Sequence, residues 1–341
     1  MRVLLTGATG FVGLNVVAEL LAAGHAVRAY VRARSPATYL ARFPAEIFRG
    51  ELDDVPRLRR ALDGVAAVVH CAGDTSCDRA HRARIWRTNV EGTRAVVAAA
   101  QAEDVRRFVY TSTTSTVGAH SDPDRRWDER TPLEGFRAAS PYGGSKLEAE
   151  RIVLGAAGLD AVVLNPAEVI GAWDHTLQWG RMVVAVCHDQ VPFVPPGSAS
   201  FCSAREVARA HVAALTRGVP GSRYLLGGAD AGYAQLIEEI SRAAGVRPRL
   251  PGGSYALRRA AAALRTALAP LGVRAPLVDP YRMRVFGGHY LFDSGRAVRD
   301  LGYRPAPLPE MIQDCLAWYR QEGMVPLPPA PGAAHAEELH A

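Results

Sequence analysis

The chain has 341 residues, of which 48% are hydrophobic, and a formal net charge of +6. This length suffices for one large α/β domain with a smaller lobe. No apolar run approaches the roughly 18 residues of a membrane span, and the first residues lack the pattern of a signal peptide. The five cysteines show no metal-ligand spacing, so we expect reduced thiols, no metal site and a cytoplasmic protein. The arginines are spread out and no nucleic-acid-binding module accompanies them, so we expect no nucleic-acid partner.

The first 165 residues alternate short apolar runs with amphipathic stretches. Strands are predicted at 3–6, 26–31, 46–48, 66–71, 107–112 and 161–165, and helices at 14–23, 54–63, 79–102 and 141–157. Strict alternation of this kind is typical of a doubly wound parallel sheet with helices on both faces, which is a Rossmann-type α/β fold. In such folds, ligands bind at the carboxyl ends of the strands.

A glycine-rich turn follows the first predicted strand. Gly7, Gly10 and Gly13 stand between the apolar run 3–6 and the helical stretch 14–23. In this pattern the first glycine allows a tight turn, the second lets the backbone approach a pyrophosphate, and the third lets the helix pack on the strand. The helix N-terminus then faces the phosphates. The spacing therefore predicts a dinucleotide-binding site.

After residue 165 the alternation loosens. Helices are predicted at 177–189, 204–217, 233–244, 254–268 and 309–322, separated by segments rich in proline and glycine. We expect a dinucleotide-binding Rossmann domain at 1–165 with returning segments near 200–230. A smaller substrate-binding lobe should comprise 166–199 and 230–325, and the tail 326–341 should be disordered.

The chain contains one lysine, Lys146, among 39 arginines. It stands four residues after Tyr142, which places both on one face of a predicted helix. A compact ammonium and a planar guanidinium are not interchangeable, so this position is expected to require lysine chemistry. A nearby positive charge favours the phenolate, lowers the pKa of the tyrosine and suits it to proton transfer near neutral pH. A surface Tyr–Lys pair is the alternative.

Hydroxyl residues occupy positions 111–115, directly after the fifth predicted strand. Turn chemistry alone can account for such a run. However, the run also lies where the ligand cleft of the sheet is expected. One of these hydroxyls could hold a substrate carbonyl while Tyr142 delivers the proton.

Together these motifs resemble those of the extended short-chain dehydrogenase/reductases, the family of the NAD-dependent epimerases and dehydratases. The matching segments run nearly end to end, at 6–13, 69–73, 89–93, 142–146, 165–167, 292–293 and 301–305. Within the family, segments 27–32 and 209–215 are most similar to the branch of dihydroflavonol reductases, 3β-hydroxysteroid dehydrogenases and hopanoid-associated proteins.

The resemblance implies a catalytic triad of a hydroxyl residue, a tyrosine and a lysine. The hydroxyl position, five residues before Gly118, falls on Thr113, with Ser112 as its rival. Tyr142 becomes the general acid/base, while Lys146 binds the nicotinamide ribose and depresses the tyrosine pKa. The cofactor contacts that the resemblance implies are Gly7, Thr9, Gly10, Phe11, Val12, Gly13, Arg32, Glu51, Leu52, Cys71, Ala72, Gly73, Asn89, Thr111, Tyr142, Lys146, Pro166, Ala167 and Val169.

Charge at the end of the second strand predicts NADP as the preferred cofactor. An acidic residue about 20 positions past the glycines marks NAD, whereas an arginine there accommodates the 2′-phosphate of NADP. Arg32 stands at this point, with Arg34 behind it. NAD stays possible, because a surface arginine is common in so arginine-rich a chain. Glu51 replaces the aspartate that the family usually carries before Leu52 at the adenine contact.

The expected activity is an NADP(H)-dependent oxidoreductase that reduces a ketone or oxidises a secondary alcohol. A nucleotide-sugar epimerase or dehydratase with the same triad and a tightly bound NAD(P) is the alternative. Two departures argue against it: Thr114 and Ser115 stand where the 4,6-dehydratases are acidic, and Ala199 and Ser200 stand where many epimerases carry Arg-Asp. A non-catalytic dinucleotide-sensing module is a third possibility, disfavoured because Tyr142 and Lys146 are both retained.

Two further expectations concern the substrate and the assembly. Trp173 and His175 follow the sixth strand and are the lobe residues expected to face the cleft. Among relatives, the helices that match 79–102 and 141–157 pair across a two-fold axis as a four-helix bundle. The resemblance therefore implies a homodimer through this face.

Overall fold

The computed structural model describes residues 1–118, 126–133, 140–248, 250–267 and 280–327. Seven parallel strands in these ranges form the main sheet: β1 Arg2–Thr6, β2 Ala26–Val31, β3 Glu46–Arg49, β4 Ala67–His70, β5 Arg107–Thr111, β6 Asp160–Pro166 and β9 Ser222–Leu226. Their order is β3-β2-β1-β4-β5-β6-β9. The order reverses between β1 and β4, which opens a crevice at the carboxyl ends. The predicted Rossmann-type fold is confirmed.

Helices cover both faces of this sheet. They are α1 Phe11–Ala22, α2 Val55–Leu62, α3 Arg82–Trp86, α4 Gly92–Ala102, α5 Pro141–Leu154 and α7 Ala204–Ala214. Alternate strand residues point to opposite faces, so Val3 and Leu5 pack with α1 and α7, while Leu4 packs with α2, α4 and α5. The helices α4 and α5 therefore lie on one side of the sheet.

The predicted helix 79–102 is interrupted by a π-helical turn at Arg87–Glu91, which separates α3 from α4. Asn89 lies in this turn and is fully buried. Its side-chain amide donates to Asp74 O at 3.0 Å and to Ser145 Oγ at 2.9 Å. Single π-helical turns occur frequently at functional sites. Here the turn holds Asn89 between the loop after β4 and the first turns of α5.

A smaller sheet lies in the second half of the chain. Its strands are β7 Glu168–Ile170, β8 Ser198–Ser203, β10 Ala229–Gly232 and β11 His289–Tyr290. β8 pairs in parallel with β7 and β11 and antiparallel with β10. This sheet and strand β9 were not predicted as strands, because they lie in the half of the chain where short apolar runs no longer alternate regularly with helical stretches.

Six helices surround or precede these strands in the lobe. They are α6 Gly180–Cys187, α8 Tyr233–Ala244, α9 Tyr255–Ala267, α10 Pro280–Phe286, α11 Gly295–Leu301 and α12 Leu308–Gln321. In the described ranges, every helix is too short or too polar to cross a bilayer. From residue 328 on, the tail that we expected to be disordered lies outside the described residues.

Candidate active site

The glycine-rich turn between β1 and α1 packs directly on the end of β4. Gly7 has a φ of +73°, and a Cβ there would lie 2.6 Å from Ala72 N. A Cβ on Gly13 would lie 2.1 Å from Gly7 O. Gly10 caps the helix without a side-chain hydrogen bond to its first turn. Backbone N–H groups at such a terminus suit a pyrophosphate, so the turn fits the predicted dinucleotide.

The predicted cofactor residues lie along one edge of the sheet. Thr9, Phe11 and Val12 belong to the β1–α1 turn, and Leu52 follows β3. A Cβ on Gly73 would lie 3.3 Å from Asn89 Oδ1 and 3.8 Å from Lys146 Nζ. Glycine at position 73 therefore leaves open a space beside Asn89 and Lys146 that a side-chain methyl group would fill. Pro166, Ala167 and Val169 end β6 and begin β7 on the same edge.

A hydrogen-bonded chain of three side chains lies behind this edge. His211 Nδ1 is 2.8 Å from Val207 O, which makes it the protonated nitrogen. Nε2 then accepts from Thr111 Oγ1 at 2.7 Å, and Thr111 Oγ1 in turn accepts from Cys71 Sγ at 2.9 Å. Burial lowers the pKa of His211 to about 4. The sequence analysis did not single out His211, since only the fold brings α7 beside β5.

Lys146 is 4% exposed and projects from the first half of α5 into this region. Its Nζ donates to Thr111 O at 2.7 Å and lies 4.2 Å from the centre of the Tyr110 ring. Burial lowers the pKa of Lys146 to about 7, against the opposing effect of Glu150 and Cys71. The side chain is thus held between a backbone carbonyl and an aromatic face, in a space shaped for a slender ammonium.

Tyr142 lies one helical turn before Lys146. The Thr113 hydroxyl lies near enough to the phenol to affect its pKa, as expected for two members of one site. Burial raises the pKa of Tyr142, and Cys77, Glu168 and Tyr281 raise it further, while the Thr113 hydroxyl lowers it. The structure thus gives the direction opposite to the depressed pKa that we expected. Loss of hydration disfavours the phenolate more than nearby dipoles favour it.

Ser112 is turned away from Tyr142. Its hydroxyl donates to Glu150 Oε1, which also accepts from Thr116 Oγ1 at 2.8 Å and from Asn165 Nδ2 at 2.6 Å. The carboxylate of Glu150 is 2% exposed and forms an ion pair with Arg223 Nε at 3.1 Å. Sequence analysis did not single out Glu150, although its spacing from Lys146 repeats the spacing of Lys146 from Tyr142. The four-residue period was the signal that could have found it.

Glu168 and a packed cluster of aromatic side chains lie on the lobe side of Tyr142. Trp179 Nε1 donates to Glu168 Oε2 at 2.5 Å. The Trp179 ring stacks on Tyr233, with centroids 5.9 Å apart, and meets the edge of Phe201 at 5.3 Å. Tyr281 of α10 is the other lobe residue that raises the pKa of Tyr142. This lobe side is therefore largely apolar around one carboxylate.

Trp173 and His175 contact a different region from the one expected. Both pack on Tyr39 of the segment after β2, with ring centroids 6.2 and 4.9 Å apart. Trp173 also packs on Trp318 of α12 at 6.0 Å. Arg42 forms an ion pair with Glu322 at 2.6 Å beside this cluster. These residues join the Rossmann domain to the lobe and are not shown to line the space beside Tyr142.

Arg32 is exposed at the end of β2, with its Nε 3.1 Å from Ser35 Oγ. Arg34 is exposed as well. Glu51 Oε1 accepts from Ala33 N at 3.2 Å, so one carboxylate lies beside the same loop. Arg49 Nη1 donates to Ala33 O of this loop at 3.1 Å. Three arginines and one glutamate therefore surround the position where a 2′-hydroxyl or 2′-phosphate is expected.

Comparison with known proteins gives a consistent result over nearly the whole chain. Residues 3–227 match the sequence model of the NAD dependent epimerase/dehydratase family. Sterol demethylase protein B of Methylococcus capsulatus is 32% identical over 95% of this chain and 100% of its own length. A 4-hydroxy-2-methyl-3-oxo-4-farnesyl-3,4-dihydroquinoline-1-oxide ketoreductase of Stigmatella aurantiaca is 31% identical over 89% of this chain and 92% of its own length.

A solved structure agrees with these relatives. The crystal structure of gox2253 superimposes with a TM-score of 0.84 at 31% identity, and the match covers 95% of this chain and 99% of that one. Sequence motifs, strand order and overall similarity thus lead to one conclusion. The chain belongs to the NAD dependent epimerase/dehydratase family of extended short-chain dehydrogenase/reductases.

Proposed function

We propose that this protein is an NADP(H)-dependent oxidoreductase that interconverts a ketone and a secondary alcohol through Thr113, Tyr142 and Lys146. The observation that carries the proposal is the placement of the Thr113 hydroxyl beside Tyr142, one helical turn from the chain's only lysine, which is buried. A site of this composition can hold a carbonyl oxygen and exchange a proton with it.

Each side chain has a distinct role in this proposal. The hydroxyls of Thr113 and Tyr142 both bind the substrate oxygen, and Tyr142 donates the proton to it or removes it. Because burial raises the pKa of Tyr142, the phenol is protonated at neutral pH, which suits the reductive direction. Lys146 binds the ribose, and the bound nicotinamide dinucleotide supplies or accepts the hydride. Asn89 positions the loop after β4 against this pocket.

The proposed preference for NADP rests on Arg32. Its guanidinium is exposed and held by Ser35, where it can form a charge-assisted hydrogen bond with a 2′-phosphate. Arg34 adds a second positive charge to the same loop. Glu51 is the opposing feature, because its carboxylate would repel a phosphate near Ala33 N.

The epimerase alternative has less support from the geometry. Ser200 is fully buried and donates to Asp230 Oδ1, so β8 offers no cation at the point where many epimerases carry an arginine. The relative from Stigmatella is named a ketoreductase, which agrees with the proposed reaction class. The family description still includes epimerases, so the two reactions must be separated by experiment.

Consumption of the reduced cofactor separates them. The purified protein should oxidise NADPH stoichiometrically when given a panel of apolar cyclic and acyclic ketones, as followed by the loss of absorbance of the dihydronicotinamide. Interconversion of UDP-sugars or dTDP-sugars without net consumption of added NADPH would contradict the proposal and favour the epimerase.

A homodimer and a cytoplasmic location complete the proposal. The helices α3, α4 and α5 lie on one side of the sheet, where Trp86 is 39% exposed. Five free cysteines agree with a reducing compartment. Sedimentation velocity should show a dimer that Trp86→Asp dissociates, and a monomer at every concentration of the wild-type protein would refute this arrangement.

A further inference from the structure

The helix α9 contacts the rest of the described protein along a narrow strip. Of its 13 residues, 11 are exposed. Ala262 is 6% exposed, and Tyr255 at the N-terminus is intermediate. The Tyr255 ring packs near Phe193 with centroids 5.9 Å apart. A surface helix normally buries a broad apolar stripe against the protein. The small buried fraction of α9 is therefore unusual.

The exposed side of α9 is apolar. Leu257 and Leu264 are 72% and 61% exposed. They are seven residues apart and therefore lie on one stripe, with the exposed Ala260 and Ala261 between them. Ala262 projects from the opposite side of the helix. Contiguous exposed apolar surface of this kind marks an interaction site.

Arginines flank the leucine stripe. At 100° per residue, Arg258 and Arg265 lie along one side of it. Arg259, in contrast, lies on the far side of the helix near Tyr255. From residue 246 to residue 278 the sequence has six arginines and no aspartate or glutamate. The helix thus presents an apolar stripe bordered by uncompensated positive charge, which is complementary to a surface that is both apolar and anionic.

We propose that α9 is a membrane-docking helix that lies in the plane of an anionic phospholipid bilayer. Leu257 and Leu264 enter the boundary between headgroups and acyl chains, while Arg258 and Arg265 bind lipid phosphates. An exposed apolar face with arginines beside it is the composition of helices that bind at this boundary. A complementary protein would need acidic groups at matching positions, whereas a fluid anionic bilayer accommodates this pattern without fixed positions.

The docking face lies next to the candidate active site. Tyr255 of α9 donates its hydroxyl to Met283 O of α10. The same helix, α10, carries Tyr281, which raises the pKa of Tyr142. Docking would therefore bring the lobe wall of the cleft close to the membrane. If the proposed reductase function holds, the substrate class is a ketone or alcohol that partitions into the bilayer.

Vesicle flotation of the full-length protein tests the proposal. The protein should float with phosphatidylcholine vesicles that contain phosphatidylglycerol, should bind pure phosphatidylcholine vesicles weakly, and should be released by salt. Leu257→Asp and Leu264→Asp should each weaken binding roughly tenfold or more. Replacing Arg258 and Arg265 with Gln should weaken it about fivefold per residue. Val219→Asp is the control, since Val219 is 48% exposed just before β9.

Three results would overturn the proposal. The first is equal binding of the wild-type protein to both kinds of vesicle. The second is unchanged binding when Leu257→Asp and Leu264→Asp are combined. The third is a smaller oligomer for this double variant than for the wild-type protein in sedimentation velocity. The last would show that α9 covers a second copy of the chain. NADPH affinity and reduction of a water-soluble ketone should be unchanged in the leucine variants. If the wild-type protein floats with anionic vesicles but reduces no ketone, the proposed reaction is contradicted and the docking face is still supported.

Discussion

On the sheet side of the cleft, the side chains that carry the chemistry are buried and polar. Lys146 and Glu150 are 4% and 2% exposed, and each is held by hydrogen bonds from or to neighbouring strands. On the lobe side, Trp179, Tyr233 and Phe201 form a wall of packed rings. A buried charge is costly unless it is paired, so the polar side tolerates few substitutions. The aromatic side can change shape without loss of such pairs. This difference indicates that the sheet side fixes the reaction and the lobe side selects the substrate.

Tyr142→Phe should have the largest effect and tests the assignment of chemistry to the sheet side. Removing a general acid/base typically lowers the rate about 100- to 10,000-fold. Cofactor affinity should stay close to that of the wild-type protein, because the ring is retained. Steady-state turnover and fluorescence titration of NADPH measure the two quantities.

The matched change on the lobe side is Tyr281→Phe. Since Tyr281 lies on the lobe side, the loss of its hydroxyl should alter KM more than kcat. Turnover of Tyr142→Phe within a few-fold of wild type, or an equal loss of kcat in both variants, would contradict the division between the two sides.

Lys146→Arg should also inactivate the protein, although the charge is conserved. The ammonium fits between Thr111 O at 2.7 Å and the Tyr110 ring at 4.2 Å, and a planar guanidinium is too wide for this space. We expect weak NADPH binding and loss of turnover. Arg151→Lys on the exposed side of the same helix is the control and should be neutral. An active Lys146→Arg variant would show that the single lysine has no special function.

Features that depend on local spacing could be predicted from the sequence. The positions of the first six strands along the chain follow from hydrophobic periodicity. The glycine-rich turn of Gly7, Gly10 and Gly13 follows from backbone geometry. The spacing of Tyr142 and Lys146 follows from the helical repeat. The structure brings these residues to one edge of the sheet, as predicted, and their catalytic roles stay proposals.

Features that depend on distant contacts could not be predicted. His211 and Arg223 reach the site from α7 and β9, and nothing near them in the sequence indicates Thr111 or Glu150. The pKa of Tyr142 was expected to fall because spacing shows the neighbouring charge, whereas burial is a property of the whole fold. Trp173 was placed in the cleft because it follows β6, but its ring packs on Tyr39.

Arg32→Asp should reverse the cofactor preference. A charge-assisted hydrogen bond contributes about 1.5–3 kcal/mol, which is roughly a ten- to hundredfold difference in affinity. A carboxylate at this position repels a 2′-phosphate and can accept from a 2′-hydroxyl. Titration of NADPH and NADH into both proteins measures the change.

Two further variants make this test specific. Glu51→Gln removes a negative charge beside Ala33 N and should shift the preference further toward NADPH. Arg60→Asp changes an exposed arginine of α2 and should leave the ratio unchanged. Equal affinities of the wild-type protein for both cofactors, or no change with Arg32→Asp, would assign Arg32 to the ordinary surface and favour NAD.

Thr113→Ala and Ser112→Ala should separate catalysis from stability. The Thr113 hydroxyl lies beside Tyr142, so its loss should lower kcat about tenfold with little effect on unfolding. The Ser112 hydroxyl donates to Glu150, so its loss leaves a buried carboxylate with one donor fewer and should lower the free energy of unfolding by about 1–3 kcal/mol. If Ser112→Ala proves the more damaging to kcat, the catalytic hydroxyl is Ser112.

The smallest expected effect is a shift in the pKa of Lys146, which the chain's single lysine makes directly measurable. Protein labelled with ¹³C-lysine should give one ε-carbon signal that titrates near pH 7 in the folded state, compared with 10.5 for an unburied lysine. Folding therefore favours the neutral amine, and Lys146 should contribute stability that increases as pH rises from about 7 toward 10.5. Glu150 raises this pKa, so Glu150→Gln should move the titration to lower pH. Glu148→Gln, whose carboxylate pairs with Arg151 on the exposed side of α5, should leave it in place. A midpoint near 10 in the wild-type protein would show that Lys146 is hydrated, and the buried polar site on the sheet side would then have to be reconsidered.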